Sequence, residues 1–316
     1  MAVIIAKRFF VFIITLLVAS LVIFFLLEIL PGDPASIILG VGAQDDTLAA
    51  LRSEMGIDRP ASKRYISWIS GALSGNFGRS YTYDIPVSYL IIERLSLSIP
   101  LALLAILLST FLAIPLGVFA AANHKRLTDT GIMGFSQLGI AVPNFWFAIL
   151  LILLFSVKLG WFSAGGFPGW EMGVGAGLKS LTLPAISLAL PQAAILARVT
   201  RSAVLETMRE DFVRTARAKG LSRNAALWKH AFRNALIPVV TILGLQLSFL
   251  LAGTIIIENV YYLPGLGRLL FQSISQRDLV VVKNIVLLLA TTVVTINFLI
   301  DILYLALDPR LRDSSQ

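Results

Sequence analysis

Cysteine is absent from this chain of 316 residues, and histidine occurs only at His124 and His230. Disulfides, thiolate metal sites and histidine-rich metal centres are therefore excluded. Charge is scarce as well. Asp, Glu, Lys and Arg make up 14% of the chain, against about 25% in an ordinary soluble domain. The charge present is unbalanced, with 26 basic and 18 acidic residues and a net +8. In a soluble protein that excess would raise nucleic acid as a partner. Here 57% of residues are hydrophobic and the mean hydropathy is +0.84. The excess is read instead as the basic bias of loops on one face of a membrane, with no nucleic-acid partner. A nucleotide-binding loop is missing too. G-V-G-A-G-L-K-S at 173–180 lacks the adjacent Gly-Lys of that motif and has no βα unit around it.

What remains is apolar and periodic. Lys7-Arg8 precedes an apolar run at 9–30, long enough to cross a bilayer and too long for a signal-peptide core. It is expected as a retained first span. Further spans are expected at 96–122, 132–157, 181–197, 236–257 and 284–307. Pro184 and Pro191 break the fourth, and Pro238 stands near the start of the fifth. The fold class is all-α, a polytopic membrane protein with six transmembrane helices. Residues 31–95 are too polar to span and form a small helical subdomain, either a folded cap or a docking surface. Within it 47–55 reads as a helix stopped by Gly56. Tyr65, Trp68, Ile69 and Ala72 at i, i+3, i+4, i+7 predict an amphipathic helix over 61–72. Gly75, Gly78 and Y-T-Y-D-I-P mark turns, and Pro86 opens a short helix at 86–95. Outer loops are expected at 158–180 and 258–283.

Six spans place both termini on one side. Segments 1–8, 123–130, 198–233 and 308–316 hold 15 Lys and Arg in 61 residues; segments 31–94, 158–180 and 258–283 hold 11 in 113. The termini and loop 198–233 are accordingly expected to face the cytoplasm.

That loop carries nine basic and three acidic residues. Its Ala, Arg, Lys, Leu and Glu favour helix, interrupted at Gly220-Leu221-Ser222, with Ser222 as the N-cap of a second helix. The expected shape is helix, sharp turn, helix, continuous with spans four and five. Ala216, Ala218 and Gly220 would let a partner's backbone come close, and the arginines would pair with its carboxylates. Attraction to anionic headgroups is the competing reading.

Gly220, His230 ten residues on, and Asn234 just before the penultimate span resemble the "EAA" loop of ABC importer permeases. R-T-A-R-A-K-G-L at 214–221 (Arg214, Thr215, Ala216, Arg217, Ala218, Lys219, Gly220, Leu221), with R-N-A-L-I-P-V-V-T at 233–241, is similar to the branch importing dipeptides, oligopeptides, nickel chelates and glutathione. L-P-G-D-P at 30–34, L-P-G-L-G-R-L at 263–269, Arg277-Asp278 and D-I-L-Y-L-A-L-D-P-R-L-R at 301–312 extend the resemblance along the chain. Arg214 replaces the name-giving Glu and Arg233 the usual Pro, so Asp211 is the nearest acidic candidate.

The resemblance implies a type I permease fold in the inner membrane of a bacterium or archaeon. It divides the chain into a first span (1–30), a periplasmic subdomain (31–95), a core (96–307) with coupling loop 198–235, and a cytoplasmic tail (308–316). Its implied partners are a second homologous permease, two cytoplasmic ATP-binding subunits, a periplasmic or lipid-anchored binding protein, and membrane lipid. ATP and Mg belong to the partners; this chain binds no cofactor or metal and has no catalytic residue. Dipeptides or short oligopeptides are the first cargo, with glutathione or a nickel chelate as alternatives. A stand-alone secondary transporter is the rival reading, but no internal repeat supports it.

Polar residues inside spans face a cavity or another helix. Gln137 and Asn144, seven apart, are expected on one face, as are Asn297 and Asp301. Gln192 follows Pro191, and Gln246 and Ser248 lie within the fifth span. Gln192 and Gln246 are expected to face the pathway because their spans flank the charged loop. Trp228 and Tyr261-Tyr262 suit interface positions, and Glu28 would reach the headgroups.

Overall fold

The structure, a computed structural model, describes residues 2–29, 34–40 and 42–307. Of L-P-G-D-P only Pro34 falls among them, and residues 308–316 lie outside them. No strand occurs among the described residues; Arg79 and Pro86 form an isolated bridge. Five helices are long and apolar enough to cross a membrane, and a bent pair makes a sixth span when taken as one. The protein is a multi-pass membrane protein.

Contacts divide the chain into two compact units, to which helices α5 (Val87–Ala122) and α13 (Leu279–Leu307) each contribute a part. The first holds residues 99–263 and the last part of α13. It contains α6 (Leu127–Ala141), α7 (Asn144–Leu151), α8 (Val174–Thr207), α9 (Asp211–Ala218), α10 (Arg223–Ala226) and α11 (Phe232–Val260). Its core is built from small side chains. Ala113 of α5, Ala193, Leu196 and Ala197 of α8, and Val239 of α11 pack together. A Cβ on Gly117 would lie 2.6 Å from the Ala197 carbonyl oxygen, so glycine is what lets α5 and α8 touch. Without a hydrophobic drive between helices in lipid, such close van der Waals contact does the work.

Three span expectations are corrected here. The third span is not one helix. Val142 is extended (ψ 125°), and α6 and the segment beginning at α7 meet at 101°. Pro143 drives the preceding residue out of the helical region and lacks an N–H of its own. Gln137 and Asn144 therefore lie on either side of the bend rather than on one helix face. The fourth span, by contrast, is unbroken. α8 runs through Pro184 and Pro191, since packed neighbours tolerate prolines inside a span. It also starts at Val174, inside the expected outer loop. Finally, the short helix expected at 86–95 is simply the first part of α5, which continues for 36 residues.

Tyr261, expected at an interface, is 1% exposed. Its hydroxyl lies 3.1 Å from Ser187 Oγ and donates to the Ala148 carbonyl at 3.2 Å, while its own carbonyl accepts from Gly166 N–H at 2.8 Å. Tyr262 is the exposed member of the pair.

The second unit holds residues 2–98 and 264–295. It comprises α1 (Ala2–Ile29), α2 (Pro34–Leu39), α3 (Asp45–Glu54), α4 (Ala61–Leu73), α12 (Leu266–Ser275) and the first parts of α5 and α13. α3 ends ahead of Gly56, which has φ +66°, in line with its expected stop. α4 lays Trp68 against Ile23 and Phe24 of α1 and Val286 and Leu287 of α13. Trp68 Nε1 donates to Asn284 Oδ1 at 2.9 Å. Asp278, fully buried, accepts from Ser80 Oγ, from Thr82 N–H at 3.1 Å and from Val281 N–H at 3.2 Å. It caps α13 and fastens the 80–82 turn to it, which gives the Arg277-Asp278 motif a structural reason.

Candidate functional site

Loop 198–233 is more articulated than its composition suggests. α8 carries on to Thr207, a turn at 208–210 follows, and only then does α9 begin. The first loop helix is therefore not continuous with the fourth span. The second half agrees with expectation: Ser222 Oγ accepts from Ala225 N–H at 3.3 Å, capping α10. A π-helical turn at Leu227–Ala231 then leads into α11.

α9 is an eight-residue helix with one buried side chain, Val213. Val213 packs with Ala226 and Ala231, and Met208 and Leu221 close the cluster. Burying one valine is worth roughly 1.5–3 kcal/mol, so this contact is the main attachment of the helix. The helix ends by the geometry that a left-handed residue allows. Gly220 has φ +97°; its N–H donates to the Arg217 carbonyl at 2.9 Å, and Leu221 N–H reaches the Ala216 carbonyl at 3.3 Å. This is the Schellman stop, with Leu221 folded back as its apolar contact. Among the described residues, nothing lies within 4 Å of where a Gly220 Cβ would stand. The position demands glycine for its backbone, not for space within this chain.

The other candidate residues are placed as follows. Asp211, Arg214, Thr215, Arg217, Ala218 and Lys219 are exposed, and Ala216 is half-buried. Arg214 Nη1 lies 3.4 Å from Asp211 Oδ1 across one turn, a surface pair of little energetic weight. His230 sits half-buried in the π-turn, and its carbonyl accepts from Asn234 Nδ2 at 2.8 Å. That bond braces the unwound turn at the base of α11, a geometry often met where helices do mechanical or binding work. Trp228 is 60% exposed and packs edge-on against Phe232.

Beneath the loop lies a cluster that no sequence pattern announced. Asp129, 3% exposed, accepts from Arg201 Nε at 2.6 Å and Nη2 at 2.7 Å, and from Lys125 N–H at 3.0 Å. His124 Nδ1 lies 3.2 Å from the same carboxylate and 3.1 Å from Arg201 Nη2. The residues are 72 apart in sequence, so neither helical spacing nor a motif relates them. Beside the cluster opens a cavity of about 580 Å³ whose lining includes Arg201, Glu206, Arg209, Glu210 and Asp211. Every acidic residue of loop 198–233 lines it.

Among the interior polar residues, Gln246 and Gln192 are brought together. Gln246 Nε2 donates to the Gln192 carbonyl at 2.8 Å, linking α11 to α8. Gln246 is 2% exposed, and its Oε1, like Ser248 Oγ, is buried with no hydrogen-bond partner among the described residues. Gln137 is exposed and accepts from Arg198 Nη1 at 3.4 Å; Asn144 is half-buried. No group of acids and histidines able to hold a metal occurs among the described residues.

Comparison with known proteins covers the chain almost end to end. Residues 113–313 match the model for "Binding-protein-dependent transport system inner membrane component", and residues 1–102 match the model for the N-terminal part of such membrane components. A Brucella abortus protein named as a peptide transport system permease is 46% identical over 313 residues, covering 99% of each chain. A Sinorhizobium fredii protein named as a peptide ABC transporter permease is 35% identical over 312 residues, covering 99% of this chain and 100% of that one. The glutathione transport system permease protein of Salmonella choleraesuis is 37% identical over 306 residues, covering 97% of each.

Proposed function

The chain belongs to the binding-protein-dependent transport system inner membrane component family, and from that premise we propose that α9 is the point at which ATP-binding subunits drive it. The chain is an ABC transport permease, not an enzyme. In this reading it forms half of a pathway completed by a second permease. Two cytoplasmic subunits supply ATP and Mg, and a binding protein delivers cargo from outside. In the same reading both termini and loop 198–233 face the cytoplasm, which their basic density supports.

The observation that carries the reading is how α9 is mounted. Seven of its eight side chains are exposed or half-buried, and the eighth is packed on the base of α11. Leu227 and Ala235 of that base pack in turn with Ala203 and Val204 of α8 and Val118 of α5. A push on α9 thus reaches three spans through contiguous apolar contacts. The cavity at its N-terminal end, lined by Glu206, Glu210 and Asp211 beside Arg201 and Arg209, suits a polar side chain of the ATPase, and the exposed Arg214, Arg217 and Lys219 suit acidic ones.

Cargo follows from relatives named for peptide and for glutathione, itself a tripeptide. Short peptides are the proposed class. The test is capture. Protein solubilised from its native host should bring down an ATPase, and a cysteine at Ala218 should cross-link to it. Recovery of the chain without any ATPase would overturn the importer mechanism.

A further inference from the structure

A second cavity, about 700 Å³, lies wholly within the unit formed by residues 2–98 and 264–295. The last turn of α1, the helix α4, the 76–84 turns and the first turn of α13 line it. Five of its lining residues are basic and three acidic. Two of the acids are engaged, Glu28 with Arg64 and Asp84 with Arg79. Arg59, Lys63 and Lys283 form no ion pair within 4 Å among the described residues; of the carboxylates Lys283 feels only the charge of Glu28, which is already bonded to Arg64, so the described lining carries two more cations than anions. Lys283 holds its ammonium 5.6 Å from the Trp68 ring centroid. Arg64 Nε is buried and has no acceptor among the described residues. A buried donor without a partner is costly, and here it borders a cavity with surplus positive charge.

We propose that this cavity is a binding site for the phosphate headgroup of an anionic phospholipid. Location selects lipid over a soluble anion. The cavity sits at the end of α1 and the start of α13, both of which are candidate membrane spans, so it lies at headgroup depth. Next to it Phe25, Leu26 and Ile29 of α1 are 53%, 62% and 76% exposed, a surface suited to acyl chains. The phosphate takes the place of the missing acceptor between Arg64 and Lys283, and Trp68 packs below it as an interfacial ring. The assembled transporter then carries a lipid that ties α1 to α4 and α13.

The test uses the complete transporter, purified in detergent and titrated with phosphatidylglycerol or phosphatidylcholine under native mass spectrometry. A basic group near a headgroup is worth about fivefold in affinity. Wild type should hold one phosphatidylglycerol per copy of this chain in preference to phosphatidylcholine. Lys283→Met, which keeps the stem on Trp68, should lose about fivefold. The double variant Arg59→Gln, Lys63→Gln changes only exposed side chains and should lose more than tenfold with assembly intact. Equal retention of phosphatidylglycerol by wild type and the double variant would overturn the site. Displacement of the lipid by millimolar inorganic phosphate or by a dipeptide would overturn the lipid assignment in favour of a soluble anion. Neither result bears on whether the ATPase docks at α9.

Discussion

Arg201 grips Asp129 with two guanidinium nitrogens at once, at 2.6 and 2.7 Å, across 72 residues of sequence. The pair fastens the start of α6 to the C-terminal part of α8. A buried pair of this kind adds little relative to an apolar substitute, but breaking it is costly because a charge is left behind. Arg201 keeps 21% of its side chain exposed, so water offsets part of the loss, and Arg201→Gln should lower stability by about 1–2 kcal/mol, read as a fall in the thermal midpoint of the solubilised protein. The double variant Arg201→Leu, Asp129→Leu should recover most of that loss. If the single variant melts like wild type, the pair has no structural weight.

Gly220 separates backbone demand from contact demand. At φ +97° a Cβ costs about 1–2 kcal/mol whatever its surroundings, while none of the described residues obstructs it. Gly220→Asn, which tolerates left-handed backbone, should express normally and keep most uptake. Gly220→Glu should insert in the membrane yet abolish uptake, because bulk and charge meet the ATPase. Normal transport by Gly220→Glu would remove the turn from the docking surface.

Tyr261 predicts an alkaline signature. Burial pushes its hydroxyl up to about 12, partly offset by the bond to Ser187. Unfolded, the phenol ionises near 10, so between pH 10 and 12 the unfolded state sheds the proton and the folded state keeps it. The stabilisation is complete below pH 10 and is lost as pH rises towards 12. Tyr261→Phe should show a shallower decline over that window and lose about 1 kcal/mol per missing hydrogen bond at neutral pH.

Gln192 and Gln246 remain the proposed pathway residues on the two spans that flank the loop. In the present geometry Gln246 is enclosed. A cysteine there should resist a water-soluble thiol reagent in the resting state and react in the ATP-bound state, with the opposite or a weaker change at 192. Labelling indifferent to ATP at both positions would show that the hydrogen bond between these helices is purely structural.

Much of this was legible beforehand because it depends on local rules. Gly56, Ser222 and the run from Tyr65 to Ala72 signal caps and an amphipathic face within a few residues of themselves, and the structure honours each. Prolines were harder to read. Pro143 breaks a span and Pro191 does not, since the outcome depends on how neighbouring helices hold the chain. The turn at 208–210 carries no Gly or Pro, so nothing separated α9 from α8. Asp129 and Arg201 carry no local signal, and Tyr261, expected at an interface, is buried instead, for a different reason. Their partners are distant in sequence, and a single chain read without its fold cannot pair them.

Val213 has one more implication. A helix fixed by a single buried side chain leaves its outer residues with no part in holding the permease together. Those residues are free to be rewritten as a set while the spans stay as they are; if α9 is the docking point proposed above, such a rewrite would re-address the same membrane body to a different motor.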